Sequence, residues 1–205
     1  VISGYLITQL ILKEIVVTDN FNFKNFYLRR IRRLLPILIV VIIFSVPLGW
    51  KYMLPTDFME LSKSTIFSIF FSSNLYFYFS GVEYIKQDAL LQPLLHTWSL
   101  SVEEQFYILF PLFFYIVYKK INRLFLPSLI SIFILSFFFS IYGSINFKFA
   151  NFYFLFSRIW EIIFGSIIAF IEVEKGSRSK NIFLNQILQF LGLILIFISF
   201  TNFND

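Results

Sequence analysis

Three stretches of this sequence carry charge among apolar neighbours, and their residue types suit anion binding and proton transfer. The first runs Phe26-Tyr27-Leu28-Arg29-Arg30-Ile31-Arg32-Arg33-Leu34-Leu35-Pro36. Arg30 and Arg33 lie three apart, so on a helix they share a face. Two guanidiniums on one face make a fork for phosphates or carboxylates. The same cluster also fits a plain cytoplasmic anchor of a membrane helix. Pro36 stands where the uncharged run begins, a position that tolerates a missing N–H at a helix start.

The second stretch runs from Leu95 to Tyr107 and holds His96, Trp98, Glu103 and Glu104. Ser99 or Ser101 predicts a helix cap, with Glu103 or Glu104 in the first turn, where the dipole favours an acid. That accounts for one carboxylate but not for two beside a His and a Trp. A buried carboxylate has a raised pKa and exchanges protons nearer neutrality. Glu103 and His96 are therefore the candidate catalytic groups, although His96 alone reads equally as an interfacial polar residue. The third stretch holds Arg158 and Glu161, three apart, followed by Gly165. These two charges suit either a neutralising ion pair or a substrate contact, and Gly165 permits close helix packing. An ionisable group at membrane depth costs about 2.5–3.5 kcal/mol on insertion scales, so each of these needs a reason to be there. The loop with Lys119, Lys120 and Arg123 reads as topology and nothing more.

The elements that position these groups follow from composition. Of the 205 residues, 58% are hydrophobic and only 14% charged, against roughly 45–50% and about 25% in an ordinary soluble domain. A mean hydropathy of +0.78 agrees. Too few polar residues remain to cover a water-facing surface, and disorder needs the opposite composition. The chain reads as an all-α, polytopic transmembrane helical bundle in a single domain over residues 1–205. A barrel would show short alternating segments, whereas these runs are apolar throughout. The absence of Cys excludes disulfides and thiolate chemistry, and the single His excludes a His-rich metal site. The net charge of +5 falls mostly in short gaps between apolar runs, which points to membrane topology rather than nucleic acid. The 31 Phe and 11 Tyr read as lipid-facing and core bulk, not as a cofactor box.

Candidate spans are residues 34–50, 64–82, 100–118, 124–147, 149–171 and 182–204. Residues 1–12 are too short to cross and read as the end of a helix that begins upstream. The end near Asp205 reads as a truncation as well. The basic cluster from Lys24 to Arg33 places that end in the cytoplasm. If residues 64–82 cross fully, Lys119, Lys120, Arg123, Lys175, Arg178 and Lys180 all fall outside. If they do not, all six fall inside, so the charge rule prefers a re-entrant or interfacial segment there. Ser64, Ser68, Ser72, Ser73 and Asn74 suit a segment packed against protein.

Taken together, these stretches resemble acyltransferase family 3, membrane-bound O-acyltransferases that modify lipopolysaccharide O-antigen, peptidoglycan and other bacterial glycans. Val1-Ile2-Ser3-Gly4-Tyr5-Leu6-Ile7 is similar to the end of the family's second-helix motif, and residues 26–36 to its arginine motif. Trp98-Ser99-Leu100 with Val102-Glu103-Glu104-Gln105-Phe106-Tyr107 is the strongest match, and Arg158-x-Trp160-Glu161 with Gly165 resembles a fourth motif. The resemblance implies transfer of an acyl group, typically acetyl, from a cytoplasmic acyl-CoA to a sugar hydroxyl on the outer side of a bacterial inner membrane. It implies no bound cofactor and no metal, with acyl-CoA as donor, a cell-surface glycan as acceptor and membrane lipid around the bundle. It places Arg30 and Arg33 near the acyl-CoA phosphates, Glu103 at the motif carboxylate, and Arg158 and Glu161 in the later motif. The family's proposed catalytic His lies in a first helix that precedes Val1, so the 205 residues alone are expected to be inactive. His96 matches a His-Thr-Trp-Ser-Leu variant of the later motif instead. Two other readings compete: a glycan or small-molecule transporter using the same intramembrane charges, and a partner-binding membrane protein whose charges only set topology.

Overall fold

The computed structural model describes residues 1–81, 92–176 and 182–202. Among the described residues there is no strand, as expected for long apolar segments that satisfy their own backbone groups in lipid. The chain divides into two compact units, Val1–Phe170 and Ile171–Asp205. In the first lie α1 (Ile2–Thr18), α2 (Phe23–Tyr52), α3 (Pro55–Ile69), α4 (Ser73–Phe79), α5 (Thr97–Lys120), α6 (Asn122–Asn146), α7 (Lys148–Tyr153) and most of α8 (Leu155–Lys175). The second holds the end of α8 and α9 (Ile182–Asn202). On α9, Phe183, Phe190, Leu193 and Phe197 are exposed, as on a lipid-facing helix.

Among the described residues, four stretches are long and apolar enough to cross a bilayer: α2, α5, α6 and α7 with α8. The span expected at 34–50 starts earlier. Asn22 caps α2 by accepting from the Asn25 N–H at 3.0 Å, so the whole arginine cluster lies on the helix. Pro36 is consequently inside α2 and not at its start.

Residues 64–82 do not form one span. α3 has 15 residues, about 22 Å of helix, and the chain reverses at Phe71, whose φ is +50°. α4 then runs back for 7 residues. Contacts with α5 trace the dip. Ser68 meets Thr97 at 2.8 Å, Phe71 meets Gln105, and Ser73 returns to Ser101 at 2.7 Å. Irregular backbone at membrane depth is tolerated only where protein covers it, and here Gln105 Nε2 donates to the Phe71 carbonyl at 3.2 Å. The outer face of α3 keeps Ile66 and Phe70 exposed, as lipid contact requires. Val82 and Glu83 lie outside the described residues.

Contacts near the start of α2 settle the sense of α5. Phe23, at the start of α2, packs on Tyr115, near the end of α5, with ring centroids 5.5 Å apart. Lys119 donates to Asn20 Oδ1 at 3.1 Å. The α2 and α5 helices are thus antiparallel, and Lys119, Lys120 and Arg123 share an end with the arginine cluster, as the positive-inside rule asks. The Lys175 side chain, Arg178 and Lys180 lie outside the described residues. Gly4 and Gly165 bring α1 and α8 into backbone contact. A Cβ on Gly165 would collide with the Val1 carbonyl, and one on Gly4 with the Ile162 carbonyl. Ser166 Oγ donates to the Gly4 carbonyl at 3.3 Å across this seam, the small-residue packing that membrane helices use.

Candidate active site

α1, α2 and α5 enclose a cleft of about 810 Å³. From α2 come Arg29, Arg30 and Arg33; from α5 come Leu100, Glu103, Glu104 and Tyr107; from α1 come Ser3, Lys13 and Glu14. The α5 residues recur at i, i+3, i+4 and i+7, one stripe of a helix. Helix α5 starts at Thr97, so Ser99 and Ser101 lie inside it, and its first turn holds no acid. Capping therefore does not explain Glu103 and Glu104, which sit in the second turn.

The two carboxylates differ. Glu103 Oε1 accepts from Ser3 Oγ at 3.4 Å and Oε2 from the Tyr107 hydroxyl at 3.1 Å. Glu104 is 6% exposed and its Oε1 has no hydrogen-bond partner. The charges acting on Glu104 are those of Arg30, Glu103 and Arg33. The Arg30 guanidinium lies 4.3 Å from the Tyr107 ring centroid and 5.8 Å from that of Phe26. Among the described residues the ion pair at the cleft is Arg29 with Glu14, at 3.3 Å, so no carboxylate occupies the forks of Arg30 and Arg33. Chemically, the cleft offers an anion two guanidiniums in a low-dielectric wall, where their field is strong, with the buried Glu104 carboxylate beside them.

Of the sequence-predicted groups, Arg30, Arg33 and Glu103 meet in this cleft. His96 does not: it is exposed at the far end of α5, about 10 Å along the helix from Glu103. Nor do Arg158 and Glu161, which line a separate pocket of about 200 Å³. The ion pair that their spacing allows is not formed. The Arg158 guanidinium instead packs 4.8 Å from the Trp98 ring and 5.1 Å from the Phe152 ring, and its Nε donates to the Phe152 carbonyl at 3.1 Å. Sequence reasoning missed Ser3 as a partner of Glu103, since nothing local links residues 100 apart. Tyr107 had a signal, its i+4 spacing from Glu103. Among the described residues no group of His, Asp and Glu side chains is placed to hold a metal ion.

Comparison with known proteins fits this architecture. The sequence model of acyltransferase family 3, described as an acyltransferase domain, matches residues 1–204. An uncharacterized protein of Haemophilus influenzae is 36% identical over 208 residues, covering 96% of this chain and 82% of its own length. The O-acetyltransferase OatA of Staphylococcus aureus is 36% identical over 140 residues, covering 64% of this chain. That match spans 23% of OatA, so this chain corresponds to under a quarter of that relative. No solved structure matches. A helical bundle with four candidate spans among the described residues makes this a multi-pass membrane protein. The chain belongs to acyltransferase family 3.

Proposed function

We propose that this chain forms the acyl-donor end of a bacterial inner-membrane O-acyltransferase that moves an acetyl group from acetyl-CoA to a hydroxyl of a cell-surface glycan. The observation that carries the reading is the cleft itself, in which Arg30 and Arg33 present unpaired forks beside Glu103 and Glu104 at the basic end of the bundle. Polyphosphate is the ligand that such forks bind best, and acyl-CoA carries its phosphates on the side where the positive charges lie. In the transfer, the acceptor hydroxyl oxygen bonds to the acyl carbon and the thioester C–S bond breaks. The hydroxyl proton ends on the departing sulfur. Glu104, buried in the cleft wall, sets the charge balance that the guanidiniums present to the ligand, and Glu103 holds Ser3 and Tyr107 in place beside it. His96 has no place beside the cleft and is assigned no step there. The name O-acetyltransferase borne by OatA supports the acetyl group.

The test is binding of CoA to the full-length protein in lipid nanodiscs. Binding that is lost in Arg30→Ala supports the transferase. A protein that moves a glycan across the membrane without any dependence on acyl-CoA would replace this reading with the transporter.

A further inference from the structure

Resting on the reading that the enzyme acylates a sugar, we propose that the pocket beside Arg158 is the acceptor subsite. Its ligand is a single sugar ring bearing a carboxylate or phosphate. The pocket lies between α6, α7 and α8 and is lined by Ser140, Ser144, Lys148, Asn151, Arg158 and Glu161. It sits at the opposite end of α5 from the arginine cluster, because Trp98, in the first turn of α5, packs on Arg158.

Three observations give the ligand its chemistry. The first is a fixed but uncommitted cation. Trp98 and Phe152 hold the guanidinium plane of Arg158, its Nε is engaged by the Phe152 carbonyl, and no carboxylate pairs with it among the described residues. A preorganised guanidinium fork selects a planar or tetrahedral anion. The second is the charge balance: Lys148 and Arg158 against Glu161 leave one positive charge over. An anionic substituent neutralises that charge, and Glu161 remains to accept a hydrogen bond from a ring hydroxyl. The third is polar lining at small size. Ser144 Oγ donates to the Ile141 carbonyl at 2.7 Å, so its lone pairs face outward as acceptors, and Ser140 and Asn151 add polar lining. A volume of about 200 Å³ is below the roughly 300–1,000 Å³ of drug-sized pockets, which fits one ring and not an oligosaccharide.

Helix α5 then connects donor and acceptor. Trp98 touches the Arg158 pocket, while Glu103 and Tyr107 lie about 8 and 13 Å farther along the same helix.

The experiment compares glucuronate with glucose on the full-length protein by saturation-transfer NMR. The nanodiscs are made of neutral phosphatidylcholine, so that no anionic headgroup fills the pocket. CoA binding is measured on the same samples. Glucuronate is expected to bind at least 10-fold more tightly than glucose. Lys148→Gln, at an exposed side chain without a partner among the described residues, is expected to weaken glucuronate 3- to 10-fold and leave CoA binding unchanged. Arg158→Gln is expected to abolish the preference. Equal binding of the two sugars, no binding of either, or indifference to Lys148→Gln overturns the subsite. If those results come with intact, Arg30-dependent CoA binding, only the subsite fails. Loss of CoA binding in the unaltered protein sinks the transferase reading itself.

Discussion

On α5, Thr97, Ser101 and Gln105 recur every fourth residue and face the α3–α4 hairpin, whereas Leu100, Glu103, Glu104 and Tyr107 line the arginine cleft. The first face is polar and closed. Thr97 bonds Ser68 and Ser73, Ser101 bonds the Ser73 hydroxyl and N–H, and Gln105 bonds Asn74 and the Phe71 carbonyl. The second face is polar and open, with a buried carboxylate oxygen unpartnered and two guanidiniums free of ion pairs. Both faces place polar atoms at membrane depth, where each unpaired group is costly. Full satisfaction marks a structural seam; incomplete satisfaction beside a cavity marks a site.

If this contrast holds, substitutions on the open side change ligand binding and substitutions on the closed side change stability. Arg30→Ala is expected to raise the Kd for CoA about 100-fold, the cost of removing a desolvated charge contact, with little change in Tm. A titration in nanodiscs checks it, and a Tm loss without an affinity loss would move Arg30 to the structural side. Gln105→Leu leaves the Phe71 carbonyl and Asn74 Oδ1 without the Gln105 donor and is expected to cost about 1–3 kcal/mol of stability. Thermal unfolding in detergent measures this, while the CoA Kd should stay within 2-fold.

The two neighbouring carboxylates give a finer separation. Glu103→Gln loses charge-assisted bonds to Ser3 and Tyr107 and is expected to lower stability by about 1 kcal/mol. Glu104→Gln removes a buried, unpartnered charge and is expected to leave Tm unchanged or raised while acyl transfer falls. Equal Tm losses from the two variants would erase the distinction between them. The smallest effect belongs to Lys119→Ala. Its exposed contact with Asn20 is expected to contribute less than about 1 kcal/mol, and a shift of several degrees in Tm would show that the α1–α2 loop is held more firmly than its exposure suggests.

Much of this protein is legible in its sequence because the bilayer imposes simple rules. Most long uncharged runs become apolar helices, and Lys119 and Lys120 share an end with the arginine cluster. Counting charges alone favoured a non-crossing segment at 64–82, since a full crossing would have put six cations on the wrong side. The arginine fork was likewise visible, because three-residue spacing on a helix is a local property. The capping of α5 was misread. Ser99 and Ser101 have good capping chemistry, but Thr97, Trp98 and the hairpin start the helix earlier. Pro36 was misread for a related reason: Asn22 caps α2 twelve residues before the uncharged run begins at Leu34.

What the sequence determined by itself was class and the residues worth watching, because hydropathy and helical spacing are read along the chain. What only the tertiary structure decided was which charges meet. The pairing of Ser3 with Glu103 and the stacking of Arg158 on Trp98 join residues far apart in sequence. So does the orphaning of Glu104 beside Arg30. Whether a charge in the membrane is paired, stacked or left open depends on neighbours supplied by other helices. Local spacing could allow Arg158 and Glu161 to pair, but packing against Trp98 and Phe152 gave the guanidinium a different partner.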